Sequence, residues 1–381
     1  MIGKRQFNHS LYIIILALVL TLLPIYKSIT YNILGINILT LVIIVLLLVY
    51  AFNVITQKKS LVIGIELVAL IITITLYIVN GSNQKIGYLI SFILIYLYSV
   101  NHNKDKKDIY LLGNAILMSI LVSTLIVILI QITNINVIRT AGIIDSSIVI
   151  PAIIFLLYNP FDLPILQKSY GKYLLLFSII INLVYGMSRA RIALVGIILI
   201  IYIYYLVSNK KIKITKRTLI NAVALSIVVI ITTILIYDSI PILIERLFKT
   251  ESFFQDEYRR YESNYAIQMF QQNILFGNGF MSVGIPERFT LLYGVTEFGD
   301  HNFYTSILFR GGLLLGFTIL LLFIKLQFKV FYQKNIRLRY AMISFLTAIY
   351  ILSVTNAGFY NYLIGSWFLI INVLSLKESN I

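Results

Sequence analysis

The sequence predicts an all-α fold, a polytopic membrane bundle of about 12 transmembrane helices with one large external loop that contains an amphipathic helix. Three observations predict it. The chain has 381 residues, of which 59% are hydrophobic and only 12% charged, whereas soluble domains carry about a quarter charged residues. Its apolar residues fall in runs long enough to cross a hydrocarbon core of about 30 Å. Its basic residues collect in the segments between those runs, as they do in cytoplasmic loops of membrane proteins.

The elements follow in order. Lys4 and Arg5 precede an apolar run from Leu11 that resembles a signal peptide, yet no small-residue cleavage site follows, so it reads as an uncleaved first span. Spans are expected near 11–26, 33–55, 61–79, 86–100, 109–131, 141–158, 172–187, 191–207, 219–237, 302–324, 340–355 and 360–376. With both termini inside, the cytoplasmic side receives Lys4 and Arg5, Lys58 and Lys59, Lys104, Lys106 and Lys107, Lys168 and Lys172, the runs Lys210 to Arg217 and Lys325 to Arg339, and Lys377. That is most of the 31 basic residues, and it accounts for the bulk of the +16 net charge without nucleic acid. The chain has no cysteine, which excludes a disulfide framework and a cysteine-ligated zinc site. No soluble domain, low-complexity tail or fixed-period repeat is visible, so residues 1–381 read as a single integral membrane domain.

One polar stretch interrupts the apolar pattern. Residues 238–301, between the ninth and tenth predicted spans, hold nine of the 15 carboxylates: Asp238, Glu245, Glu251, Asp256, Glu257, Glu262, Glu287, Glu297 and Asp300. The inside-positive bias puts this loop on the outer face. Basic residues that the bias leaves outside are Lys27, Lys85, Arg139, Arg189, Arg191, Arg246, Lys249, Arg259, Arg260 and Arg288, with Arg310 inside a span. Arginine predominates among them, and its planar fork suits phosphate oxygens, so they point to an anionic, phosphate-bearing ligand. Anchoring of helix ends at lipid headgroups is the plainer account of any one of them.

Within the loop, Phe254, Tyr258, Tyr261, Tyr265 and Met269 recur at helical spacing and predict a surface helix over 256–272, with Arg259, Arg260 and Glu262 on its other sides. Phe276-Gly277-Asn278-Gly279-Phe280 reads as a tight turn, and Gly299-Asp300-His301-Asn302 closes the loop. His9 and His102 fall on the cytoplasmic side, which leaves His301 as the outward side chain able to take a proton near neutral pH. A lone histidine is more often structural, so position carries this reading. Ser188-Arg189-Ala190-Arg191 sets two guanidinium groups at a helix N-terminus, where anions are favoured. Arg139, Gly142 and Asp145 open another span from the same side. Arg310 lies roughly 13 Å below His301 along a helix, where an ionised group needs a role or a buried partner; Asp145 and Glu66 are the candidate carboxylates.

The order of these features resembles the O-antigen ligase and Wzy-type polysaccharide polymerase superfamily. The resemblance rests on Arg139 with Gly142 and Asp145, Ser188-Arg189, Arg259 or Arg260 opening a loop helix, Phe276 to Phe280, and His301-Asn302 leading to Gly311-Gly312 and Gly316. It spans Arg139 to Phe323. It implies a GT-C-type membrane glycosyltransferase with no cofactor and no metal, taking an undecaprenyl-pyrophosphate-linked oligosaccharide as donor and inverting the anomeric centre. It further implies that Arg189 and Arg259 or Arg260 contact the pyrophosphate, with His301 as base. Arg139, Arg191, Arg310, Asp145 and Asn302 complete the expected substrate contacts. Both arginine sites are doubled here, so the equivalent member of each pair is open.

The expected activity is polymerisation of lipid-linked repeat units for capsule, O-antigen or exopolysaccharide, at the outer face of a bacterial cytoplasmic (inner) membrane. The expected partners are membrane lipids, a flippase and a chain-length regulator, with no nucleic acid. A ligase of the same fold differs only in its acceptor. A flippase would show two related halves and short loops, and a non-catalytic assembly protein would use the loop to recruit partners.

Overall fold

The computed structural model describes residues 32–33, 36–37, 71–72, 75, 106–133, 148–186, 189–209, 252–279, 284, 286–288, 302–355 and 362–375. The described chain is mostly helical. Its elements are α1 (Lys106–Thr133), α2 (Val149–Tyr158), α3 (Pro164–Gln167), α4 (Ser169–Gly186), α5 (Arg189–Ser208), α6 (Ser252–Gln272), α7 (Phe303–Phe331), α8 (Ile336–Thr355) and α9 (Tyr362–Ser375). Runs of Leu, Ile and Val dictate this outcome, because a backbone in hydrocarbon must satisfy its own hydrogen bonds. Among the described residues, four stretches are long and apolar enough to span: Leu112–Ile130, Arg191–Ser208, Phe303–Phe331 and Ile336–Val354. Among the described residues, α1, α2, α4, α5, α7, α8 and α9 fall on the spans expected between 109 and 376. The spans expected at 11–26, 86–100 and 219–237 lie outside the described residues. At the start of the expected span 33–55 stands instead a small antiparallel pairing of β1 (Asn32–Ile33) with β2 (Ile36–Asn37).

Side-chain contacts tie one set of helix ends together. The Tyr158 ring at the end of α2 lies 5.7 Å from that of Tyr205, near the end of α5. Tyr205 in turn lies 5.3 Å from Tyr340, at the start of α8. Arg337 Nη2 donates to Asp162 Oδ1 at 2.5 Å, joining the α7–α8 connection to the α2–α3 loop. Gln333 Nε2 donates to Leu374 O at 2.8 Å, which brings the end of α9 to the same place. Gly113 in α1 faces Phe161 of that loop. This end therefore gathers Lys168, Lys172, Lys334, Arg337 and Arg339, residues that the sequence reading put on one side. By helix direction, the opposite end holds the starts of α2, α5, α7 and α9.

Between the two ends the core is aliphatic and aromatic, with Ile150, Phe155, Ile198, Leu315, Ile349 and Trp367 fully buried. A polar seam crosses it where Asn182 Nδ2 of α4 donates to Thr124 Oγ1 of α1 at 2.8 Å, the kind of hydrogen bond that joins helices in an apolar medium.

Candidate functional site

The site is built from the start of α7, the helix α6 packed beside it, and the first turn of α5. Asn302 fixes where α7 begins. Its Oδ1 accepts from the amides of Tyr304 at 3.0 Å and Thr305 at 3.3 Å, so the side chain expected to contact substrate serves as the helix N-cap. His301 immediately precedes this cap and lies outside the described residues, so its placement comes only from its neighbour.

The sequence reading has α7 as one continuous span. The structure breaks it at Gly312, whose φ of 62° and ψ of −161° are non-helical. In a regular helix the Leu313 amide would donate to Phe309 O and the Leu314 amide to Arg310 O. Here those partners are exchanged with the loop that follows α6. Leu313 N donates to Ile274 O at 2.8 Å and Leu314 N to Leu275 O at 3.3 Å, while Phe309 O accepts from Asn278 N and Arg310 O from Gly279 N, both at 2.8 Å. Asn278 adds a side-chain bond from Nδ2 to Met269 O at 2.7 Å.

Two facing glycines permit so close an approach. A Cβ on Gly277 would stand 2.5 Å from Gly312 N, and one on Gly312 would stand 2.4 Å from Leu275 O. Both also have positive φ, which costs an L side chain about 1–2 kcal/mol. The turn expected at Phe276 to Phe280 is formed over its described residues, 276–279, and plugs the break in α7.

Arg310 sits at this junction and is fully buried. Its guanidinium lies over the Phe309 ring, 5.2 Å from the centroid, and Nη1 donates to Gly279 O at 3.4 Å. The part of α7 beyond the break, 313–331, has about 19 residues and is about 28 Å long, with Lys325 and Lys329 half-buried near its far end. Arg310 lies on the other side of the break from this stretch, enclosed by protein. Its two candidate partners, Glu66 and Asp145, lie outside the described residues. A carboxylate that the sequence reading put on the outer side of α6, Glu262, is instead 3% exposed.

The reason is the way α6 docks. Tyr258, Glu262 and Ala266 form its buried stripe, one residue per turn, and Ala266 packs with Tyr265 and Met269 against Phe309 of α7. Tyr261, expected on the apolar face, is turned partly outward and stacks on Tyr265 at 6.0 Å. Burial raises the Tyr261 hydroxyl above its usual pKa, Tyr265 raises it further, and the nearby Arg288 pulls it back down. Arg259 and Arg260 are exposed, as expected.

At the same end of the bundle, Arg189 opens α5 and Arg191 follows half-buried in its first turn. A guanidinium there opposes the helix dipole, an arrangement that becomes favourable when an anion lies between. The arginine pairs 189/191 and 259/260 stand on separate elements: α5 packs on α2 and α8, and α6 packs on α7. Arg139 and Asp145 lie outside the described residues.

The segment that holds this geometry can be compared with known families. Residues 174–321 match the O-antigen ligase family model, Wzy_C. The match supports the O-antigen ligase and Wzy-type superfamily and, with the long apolar helices, an integral membrane protein. It runs from within α4 to within α7, and so takes in both arginine pairs, His301, Asn302, Arg310 and the glycine break. Arg139 and Asp145 precede it. No curated protein matches the chain.

The features missed from sequence were Glu262 and the exchange of hydrogen bonds at Gly312. The first had a signal, since Glu262 stands four residues from both Tyr258 and Ala266. The second joins residues far apart in the chain, and Gly277 and Gly312 could be read only as separate turns.

Proposed function

We propose that this protein polymerises lipid-linked oligosaccharide repeat units at the outer face of a bacterial cytoplasmic membrane. The observation that carries the reading is that Arg191 and the cap at Asn302 share the end of the bundle opposite the Lys- and Arg-rich one, within a segment that matches the O-antigen ligase family. By the positive-inside rule that end faces outward.

In the proposed reaction, a sugar hydroxyl of the acceptor gives its proton to His301 and attacks the anomeric carbon of the donor. The bond from that carbon to the pyrophosphate oxygen breaks, and the lipid pyrophosphate leaves with the electron pair. Arg189 or Arg191 and Arg259 or Arg260 stabilise the charge that develops on it. Attack opposite the leaving group inverts the centre. Arg139 and Asp145, which precede α2 in the chain, contribute to donor binding, and Arg310 holds the α6–α7 junction that sets the arginines of α6 in place.

A ligase that passes the finished glycan to another acceptor is favoured by the description of the matching family as O-antigen ligase. A deletion strain separates the two. Single repeats still reaching the surface indicate the lost polymerase; lipid-linked polymer that is never transferred indicates a ligase. Lipid-linked units trapped inside would instead indicate a flippase and overturn the enzyme assignment.

A further inference from the structure

We infer that the tip of the α6–α7 plug, Ile274-Leu275-Phe276, is embedded in the hydrocarbon of the bilayer, so that part of the segment read from sequence as an external loop is a re-entrant turn. These side chains are 50%, 51% and 55% exposed. Three adjacent apolar residues on an irregular loop would be an exposed liability in water.

Their neighbours say what covers them. Ile274 O and Leu275 O accept from the amides of Leu313 and Leu314, so the tip lies beside the first residues after the break. From there the exposed face of α7 is apolar through Leu313, Leu314, Phe317, Leu320, Ile324, Phe328 and Phe331. It ends at Tyr332 and Lys334, a length of about 28 Å that fits one hydrocarbon core of about 30 Å; Lys325 and Lys329 in its last turns are half-buried rather than on this face, and Lys329 donates to Asn372 Oδ1. The tip continues the lipid-facing surface of this span at its upper edge. On α6, by contrast, the exposed residues include Arg259, Arg260, Asn264, Gln268, Gln271 and Gln272. With Ile267 as an exception, polar exposure runs to Asn273 and turns apolar at Ile274.

Irregular backbone is excluded from hydrocarbon unless its polar groups are satisfied. The exchanged bonds with α7 supply much of that condition, since Ile274 O, Leu275 O, Asn278 N and Gly279 N pair with the broken helix and Gly277 N donates to Asn273 O. The glycine break therefore allows a non-helical turn to enter the membrane edge, next to the end of the bundle that bears the arginines.

The inference rests on α7 spanning the bilayer and is independent of the choice between polymerase and ligase. The chain has no cysteine, so single-site labelling needs no background removal. Leu275→Cys and Phe276→Cys are labelled separately with a nitroxide in the full chain reconstituted in phosphatidylethanolamine and phosphatidylglycerol vesicles. Collisions with oxygen and with a water-soluble nickel chelate are measured, with Phe317→Cys as the lipid reference and Lys334→Cys as the aqueous one. The expected result is loss of nickel collisions and gain of oxygen collisions at 275 and 276, matching position 317. Nickel access equal to that at 334 overturns the inference while leaving the span intact. Nickel access at 317 as well would overturn the spanning reading of α7 itself. Low access to both reagents at 275 and 276 would mean that protein covers the tip, and would also overturn it.

Discussion

Gly277→Ala tests the plug most sharply. The added methyl would stand 2.5 Å from Gly312 N and 2.6 Å from both the carbonyl carbon and oxygen of Arg310, all backbone atoms that cannot rotate away. At φ of +69° the alanine itself costs about 1–2 kcal/mol. Backbone must also shift enough to lose the bonds from Asn278 N to Phe309 O and from Gly279 N to Arg310 O, each worth about 1 kcal/mol. The expected total is about 3–4 kcal/mol, a change in the unfolding equilibrium on the order of a hundredfold or more. The comparison is Gly196→Ala on α5, where a Cβ meets nothing within 4 Å and helix propensity favours alanine by about 1 kcal/mol. Unfolding of the two variants by sodium dodecyl sulfate in mixed micelles, followed by helical circular dichroism, measures both. Equal unfolding midpoints would refute the plugged break.

Further outcomes follow from the same geometry. Asn302→Ala removes the cap of α7 and is expected to cost about 1 kcal/mol in the same unfolding assay, whereas Asn302→Asp retains it; equal losses would deny the cap. Arg310→Lys keeps the charge but not the planar group over Phe309, so it is expected to lower the yield of folded protein nearly as much as Arg310→Ala, and full recovery by lysine would contradict the buried contact. Raised pKa at Tyr261 favours the folded state below pH about 10, the unfolded tyrosine value, and this contribution is lost as pH rises above it. Tyr261→Phe should therefore flatten the alkaline limb of a stability profile and leave neutral pH unchanged. Replacing both Arg259 and Arg260 by lysine should reduce glycan transfer while leaving unfolding unaltered, because both are exposed.

How much of this was legible in the sequence depended on the range of the interaction. Periodicity and apolar run length located α1, α4, α5 and α8 to within a few residues, because a helix in lipid is decided by its own side chains. The same reasoning found α6 and the inward side of Tyr258, Tyr265 and Met269, but missed that Glu262 is buried beside them, a consequence of tertiary packing that local pattern does not encode. Gly311-Gly312 and Gly277-Asn278-Gly279 were each visible as flexible points. Their exchange of hydrogen bonds was not, because 35 positions separate Gly277 from Gly312 and neither glycine names its partner. For the site, arginine excess pointed to Arg191, Arg259 and Arg260 on physical grounds that the structure leaves standing, whereas Asn302 proved to be occupied as a cap.

We propose transfer chemistry at the end of the bundle that begins α5 and α7. It is tested most directly with purified protein in lipid vesicles supplied with an undecaprenyl-pyrophosphate-linked repeat unit, measuring release of the lipid pyrophosphate together with glycan length. Wild-type protein is expected to release lipid pyrophosphate as chains lengthen, and His301→Ala to do neither while unfolding at the wild-type midpoint. Chain growth by His301→Ala at the wild-type rate would contradict a role for His301 as the base.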